Sequence, residues 1–142
     1  MTFEQKFVVA KLNELNVYAK ELAEVLKLND ENILKDLDKL RHAERAFQLT
    51  VDTMLDINQH FIKELKLPVY SDFQSTFYLL GEKGVLPKTF SDKLAPIVGL
   101  RNRIVHRYES INRRVFVKEL RKNFGDFQKY ADLISKYLNK KK

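Results

Sequence analysis

The spacing of apolar residues restricts this chain more than any other feature, because it matches one kind of secondary structure. Near the start, apolar side chains recur at alternating steps of four and three residues, at Val8, Leu12, Leu15, Ala19, Leu22 and Leu26. A helix completes a turn in 3.6 residues, so this stepping places them along one face. A second set follows the same rule up to Pro68, at Ile33, Leu37, Leu40, Phe47, Val51, Met54, Phe61 and Leu65. Two long helices joined by a short turn are predicted to lie antiparallel.

Two polar residues, Glu44 and Asn58, fall within the second apolar set. We interpret both as exposed to solvent. The alternatives are that they line a polar path toward a functional site or meet across a dimer.

Small polar residues and glycines set the predicted boundaries of the helices. Asn29 or Asp30 can accept a hydrogen bond from the first turn of the second helix and cap it. Ser71 can cap a short third helix in the same way. Gly81 or Gly84 is predicted to close that helix in a left-handed conformation.

Two more helices are predicted in the second half of the chain. One begins near 89–92 with Ser91 as its N-cap and is distorted around Pro96 and Gly99, because proline cannot donate a helical hydrogen bond. The other runs from about 112 to 138. Its inward-facing residues are predicted to be Phe116, Leu120, Phe127, Ala131, Ile134 and Leu138.

The predicted fold class is all-α, an up-and-down bundle of four to five helices. A chain of 142 residues fits one domain, so we expect a single domain over residues 1–142, with residues 138–142 as a frayed basic tail. No run approaches the roughly 18 apolar residues that a membrane span needs. Charges also interrupt the apolar patch at the N-terminus, unlike in a secretory signal. We therefore expect a cytoplasmic protein without membrane association.

Cysteine and histidine usage narrows the possible chemistry. The chain has no cysteine and three histidines. Disulfides, thiolate catalysis and cysteine-based zinc sites are excluded, and three scattered histidines are a poor metal site. We expect neither a metal nor another cofactor, so any catalysis must rely on His, Arg, Tyr or carboxylates.

The positive charge is concentrated at one end of the sequence. The net charge is +7, and residues 110–142 carry all of it, with ten Lys or Arg against three acidic residues. Such a segment favours a polyanionic partner, because neutralising phosphates releases bound counterions. The alternative is a solvated helix face with a frayed basic end.

The stretch GLRNRIVHRY at 99–108 places unusual polar chemistry between two helical segments. In a continuous helix, Asn102 and His106 share a face, whereas Arg101 and His106 diverge by about 140°. If Arg101 and His106 meet, either the helix ends near Val105 or a second copy of the protein contributes one of them.

An arginine beside a histidine suits the cleavage of RNA. The ribose 2′-OH can act as an internal nucleophile, and a neutral imidazole can accept its proton near neutral pH. A guanidinium can stabilise the charge that builds on the phosphate. The alternative is that His106 only caps or packs a helix end.

The segment RNRIVHRY resembles the Arg-X4-His-X-Tyr signature of the HepT-like toxins, a branch of the HEPN superfamily. Three further segments are similar to that family over roughly residues 1–138. They are HAERAFQLTVDTMLDINQHFIKEL, FYLLGEKGVLP and GLRNRIVHRYESIN.

This resemblance implies a HEPN-like homodimer and the toxin of a type VII-like toxin–antitoxin pair, a metal-independent endoribonuclease whose substrate is RNA. Arg101 and His106 would be catalytic, with Asn102 in a supporting role. Tyr108 would be adenylylated by an MntA-like nucleotidyltransferase antitoxin. Possible RNA contacts are Arg103, Arg107, Arg113 and Arg114.

The other two histidines, His42 and His60, have no place in this signature and are interpreted as helix-surface or interface residues. Two further hypotheses remain open for the whole protein. It could be a non-catalytic module that presents substrate or nucleotide to a nucleotidyltransferase, or a purely structural helical dimer.

Overall fold

The computed structural model describes residues 5–106 and 112–140, and all regular secondary structure in these ranges is α-helical. The helices are α1 (Gln5–Leu26), α2 (Asp30–Lys35), α3 (Leu37–Glu64), α4 (Phe73–Lys83), α5 (Lys88–Leu94), α6 (Ile97–His106) and α7 (Arg113–Lys140). The predicted all-α class is confirmed. None of the helices in the described ranges has an apolar stretch long enough to cross a membrane.

These helices outnumber the predicted four to five because two predicted segments are each divided. Asp36 separates α2 from α3, because its backbone is extended. It is both the C-cap of α2 and the N-cap of α3. Its N–H donates to the Ile33 carbonyl at 3.2 Å, and its carboxylate accepts from the Lys39 N–H at 3.2 Å. Pro96 lies between α5 and α6, so the distortion predicted there is confirmed.

Two of the predicted caps are confirmed and a third is shifted. The Asn29 side chain accepts from a backbone N–H in the first turn of α2 at 2.8 Å. Gly84 closes α4 with a φ of 84°, the left-handed region that glycine adopts without strain. The cap of α4 is Asp72 and not Ser71, because the Asp72 carboxylate accepts the hydrogen bonds of the first turn.

The prediction that Ser91 caps a helix is wrong. Helix α5 begins at Lys88, directly after Pro87, whose fixed φ suits a helix start. Ser91 is buried inside α5, and its hydroxyl donates to the Lys88 carbonyl at 3.0 Å. Gly81 lies against it so closely that an added Cβ would be 2.1 Å from the Ser91 Oγ. The glycine therefore allows α4 and α5 to pack together.

Helix α3 lies at the centre of the bundle. Phe7 stacks on His60 with ring centroids 5.1 Å apart, and Lys11 pairs with Asp56 at 3.0 Å. These contacts run in opposite directions along the two sequences, so α1 and α3 are antiparallel, as predicted.

Helix α7 packs on another side of α3 and runs parallel to it. The Phe47 ring contacts Phe116 at 5.7 Å, and the Phe61 ring contacts Tyr137 at 5.6 Å. The start of α7 is therefore level with the first half of α3, and its C-terminal half is level with the end of α3.

The inward face of α7 agrees with the sequence pattern except at Ala131, which is partly buried. The buried predicted residues are Phe116, Leu120, Phe127, Ile134 and Leu138. The helix continues to Lys140, so residues 138–140 are helical and not frayed, and residues 141–142 lie outside the described ranges.

The interpretation of Glu44 and Asn58 as solvated is wrong, because both are buried. The Asn58 amide donates to the Thr76 hydroxyl at 3.0 Å and accepts from the Tyr130 hydroxyl at 2.6 Å. The Tyr130 hydroxyl also reaches the Met54 carbonyl at 3.1 Å. Burial raises the pKa of Tyr130 well above its usual value. A connected polar cluster therefore joins α3, α4 and α7 inside the core.

Arg121 joins α7 to the far end of α1. Its guanidinium donates to the Leu26 carbonyl at 3.0 Å and the Leu28 carbonyl at 2.8 Å. It also pairs with Asp30 at 2.9 Å. Arg121 thus satisfies the last carbonyl of α1, that of Leu26, and the Leu28 carbonyl in the turn that follows.

Candidate active site

Helix α6 carries the Arg-X4-His motif. Leu100 and Ile104 are buried four residues apart and hold one face of the helix against the core. Arg101 and Asn102 are half-buried beside that face. His106 is exposed in the last turn. The motif thus has a fixed beginning and a solvent-accessible end.

Arg101 is held by two hydrogen bonds. Its Nε donates to the Asp52 carboxylate of α3 at 2.7 Å, and its Nη1 donates to the Asn102 side-chain oxygen at 3.1 Å. The Arg101 side chain is 18% exposed and that of Asp52 is 32% exposed. Within the described ranges these bonds use two of the five N–H donors of the guanidinium, and the others can bind an anion.

Asp52 is the site residue that sequence reasoning missed. It precedes Arg101 by 49 residues and lies on a flank of α3 where a charged residue is ordinary. No local pattern distinguishes it from the neighbouring acids of that helix, so only the packing of α6 on α3 identifies it.

Arg101 and His106 lie five positions apart on α6. The described part of α6 runs to His106, one residue past Val105. Five helical positions turn the two side chains about 140° apart, whereas Asn102 and His106 share a face. Both geometric alternatives, a helix that ends near Val105 and a contribution from a second copy, therefore stay predictions.

The predicted RNA-contacting arginines are in different environments. Arg103 and Arg113 are exposed. Arg114 pairs with Glu31 of α2 at 2.6 Å. This pairing lowers the pKa of the Glu31 carboxyl and raises the pKa of Arg114. The predictions for Arg107 and Tyr108 concern residues outside the described ranges.

An open hollow of about 370 Å³ lies beside the motif. Asn102 and Gly99 form one side of it, and the other side is formed by the segment before α4 and the start of α4, with the aromatic residues Tyr70 and Phe73. Its only carboxylate among the described lining residues is Asp72, which caps α4. A planar base or sugar next to Asn102 would therefore meet mostly uncharged surface.

The other histidines lie away from the motif on α3. His42 is exposed on the helix surface, and His60 is half-buried against Phe7, as interpreted. Among residues 5–106 and 112–140, no group of three His, Asp or Glu side chains is arranged to hold a metal ion.

Two proteins of similar sequence are both named as HepT nucleases. The chain is 26% identical over 136 residues to the tRNA nuclease HepT of Aphanizomenon flos-aquae, covering 95% of this chain and 92% of that protein. It is 29% identical over 87 residues to the mRNA nuclease HepT of Shewanella oneidensis, covering 61% and 65% of the two chains.

Among solved structures, a tri-AMPylated HEPN toxin of Shewanella oneidensis in complex with an MNT antitoxin has a TM-score of 0.83. It is 22% identical, and the match covers 91% of this chain and 96% of that one. This similarity establishes a shared fold. A family model described as ribonuclease HepT-like matches residues 15–134, and the chain therefore belongs to the HepT-like ribonuclease family.

Proposed function

We propose that this protein acts in the cytoplasm as the toxin of a type VII-like toxin–antitoxin pair, a metal-independent endoribonuclease folded as one domain over residues 1–142. The observation that carries the proposal is the family match, within which α6 presents Arg101 and His106. The two curated relatives are named as nucleases of different RNAs, which supports RNA as the substrate class.

The proposed reaction uses the RNA's own 2′-hydroxyl. His106 accepts its proton while the 2′-oxygen attacks the adjacent phosphorus. The bond from phosphorus to the 5′-oxygen then breaks, that oxygen takes up a proton, and a 2′,3′-cyclic phosphate remains. General base assistance of this kind is typically worth about 10²- to 10⁴-fold. Arg101 stabilises the added charge on the phosphate, and Asn102 and Asp52 fix its orientation.

The opposite directions of Arg101 and His106 support a homodimer with shared sites. We expect Arg101 of one subunit to act with the partner subunit's His106. Val105 between them is 36% exposed, an apolar side chain that a second copy could cover.

Adenylylation of Tyr108 by an MntA-like nucleotidyltransferase is the proposed means of neutralisation. The toxin in the similar complex is described as AMPylated, which supports this route. Phosphate charge two residues after His106 would compete with RNA phosphates for Arg101 and obstruct access to the site.

The test is cleavage of a labelled RNA by the purified protein in excess chelator. We expect products with 2′,3′-cyclic phosphate ends, and a loss of at least about 100-fold for His106→Ala. His42→Ala is the matched control, because His42 is an exposed histidine on a different helix. Full activity of His106→Ala would contradict the proposed chemistry.

Mixing inactive subunits tests the shared site. A heterodimer of Arg101→Ala and His106→Ala chains contains one intact site if each site draws on both subunits, so cleavage should return on mixing. If cleavage does not return although heterodimers form, the site lies within one chain. Expression without the antitoxin should arrest growth, whereas a non-catalytic presenting module would leave growth unchanged.

A further inference from the structure

A shallow groove lies between the α4–α5 connection and the C-terminal half of α7, on a part of the molecule that the proposed reaction does not use. Its volume is about 340 Å³. The apolar lining residues are Val85, Leu86, Pro87 and Leu133, together with the partly buried ring of Tyr137. Lys88, Lys136 and Lys140 contribute its charge, and we call this surface the lysine groove.

The charge of the lysine groove is not compensated within the described ranges. No described acidic residue lines it, and no ion pair there involves Lys88, Lys136 or Lys140. Lys11, by contrast, lies beside a carboxylate and pairs with Asp56. Three like charges around one depression repel each other, so the arrangement favours a bound anion.

The helix geometry extends this positive surface along α7. Lys129, Lys136 and Lys140 are separated by seven and four positions, which places them on one side of the helix. Lys129 lies over the Phe90 ring of α5 with its Nζ 4.7 Å from the centroid. The lysines therefore form a line along the helix, a shape that suits an extended chain of phosphates more than one small anion.

We propose that the lysine groove binds the phosphate backbone of the RNA substrate at a distance from the cleavage site. The inference rests on the proposed function for the identity of the polyanion. It gives a role to three of the ten basic residues in 110–142, namely Lys129, Lys136 and Lys140. Lysine suits this role because sequence-independent phosphate binding needs charge and not a fixed hydrogen-bond pattern.

The spacing of the two sites sets a minimum length for the RNA. Asp52 holds Arg101, and Phe61 contacts Tyr137 in the groove. These two α3 residues are nine positions apart, or about 14 Å along the helix. A stacked strand advances about 3.4 Å per nucleotide and covers this distance in about four nucleotides. An RNA of two nucleotides has only the phosphate that is cleaved, so it cannot occupy both sites.

The experiment uses the full chain with Lys88→Glu, Lys136→Glu and Lys140→Glu combined. The matched control combines Lys20→Glu, Lys39→Glu and Lys63→Glu, which reverses three exposed lysines on α1 and α3 with no ion pair in the described ranges. Thermal unfolding of both variants is compared first. The corresponding triple Lys→Gln variant replaces the charge reversal if the latter does not fold.

Binding of a 30-nucleotide RNA is measured at several salt concentrations in a His106→Ala background, so that cleavage does not interfere. We expect the groove variant to bind at least about 10-fold more weakly at physiological salt. The slope of log affinity against log salt should fall by about 2, because three phosphate contacts to a single strand contribute about 0.7 each. In the cleaving protein, KM should rise for the long RNA, and kcat/KM for a two-nucleotide RNA should stay unchanged.

Unchanged affinity and salt slope, an equal loss in the control, or an equal loss for the short RNA would overturn the proposal. It would also be overturned if the groove variant lost only antitoxin binding, since the groove would then contact a protein. If the wild type cleaves RNA but the groove variant binds RNA as well as the wild type does, this inference is wrong and the proposed function is unaffected. If the groove variant binds RNA more weakly but the wild type does not cleave RNA, the proposed function is wrong and the role of the groove in RNA binding is supported.

Discussion

Replacement of Asp52 by asparagine tests whether the carboxylate on α3 positions the arginine on α6. In the wild type the Arg101 Nε lies 2.7 Å from the Asp52 carboxylate. Asparagine keeps the shape of the side chain and an oxygen that can accept this hydrogen bond, but it removes the negative charge. The Arg101 guanidinium stays charged, so the remaining bond is still charge-assisted and only the attraction between the two opposite charges is lost. Because both side chains are partly exposed, we take the difference as about 1 kcal/mol.

If the interaction that orients Arg101 is weakened by about 1 kcal/mol in the transition state, the activation free energy rises by that amount and kcat falls about 5-fold. Asp52→Ala removes the whole bond, which contributes about 1.5–3 kcal/mol, and should lower kcat by at least about 10-fold. Asp52→Glu should restore part of it. KM for a long RNA should change little, because a positioning residue acts through Arg101 and does not touch the substrate.

The assay is steady-state RNA cleavage, with folding verified by thermal unfolding. Asp56→Asn is the matched control, because Asp56 lies one turn along α3 and its carboxylate pairs with Lys11 instead. It should retain the wild-type kcat. Wild-type or increased kcat in both Asp52→Asn and Asp52→Ala would refute the reasoning, since the ion pair would then be neutral or would restrain the guanidinium.

Three further predictions concern the scaffold. Tyr130→Phe should lower the free energy of unfolding by about 2 kcal/mol in denaturant titrations, because the buried Asn58 oxygen loses its donor, and an unchanged midpoint would contradict this. Arg114→Gln should raise the pKa of the Glu31 carboxyl, measured by NMR, toward its usual 4.5. In the wild type, the pair's contribution to folding stability is therefore present above pH 4.5 and is lost as pH falls through the lowered pKa. An unshifted titration would disprove the pairing. Gly84→Ala should cost about 1 kcal/mol of stability because its φ of 84° strains any side chain, and equal stability would count against that conformation.

The parts of the fold that the sequence predicted are those governed by local rules. The stepping of apolar residues places α1 and α7, and Gly84 closes α4 because only a left-handed residue fits there. The break at Asp36 was missed because its apolar neighbours continue the periodic pattern on either side.

The parts that local rules could not supply depend on partners distant in sequence. Burial of the Asn58 amide does not leave it without hydrogen bonds, because Thr76 and Tyr130 provide them. The motif on α6 could be found in the sequence, but the ion pair between Arg101 and Asp52 required the packing of α6 on α3. The sequence alone thus identifies the ion-pair partner of a charged residue only when the two residues lie within a few helical turns of each other.

The contact of Arg121 with the end of α1 has a consequence for how the chain acquires its structure. The carbonyl it caps belongs to Leu26, 95 positions earlier. On a ribosome, α1 leaves the exit tunnel long before α7 exists, and its open end must then be hydrated. Closure across so long a loop slows folding, because chain entropy is lost before the contact forms. The C-terminal end of α1 is therefore completed only after α7 has been synthesised, although α3 can hold the rest of α1 earlier.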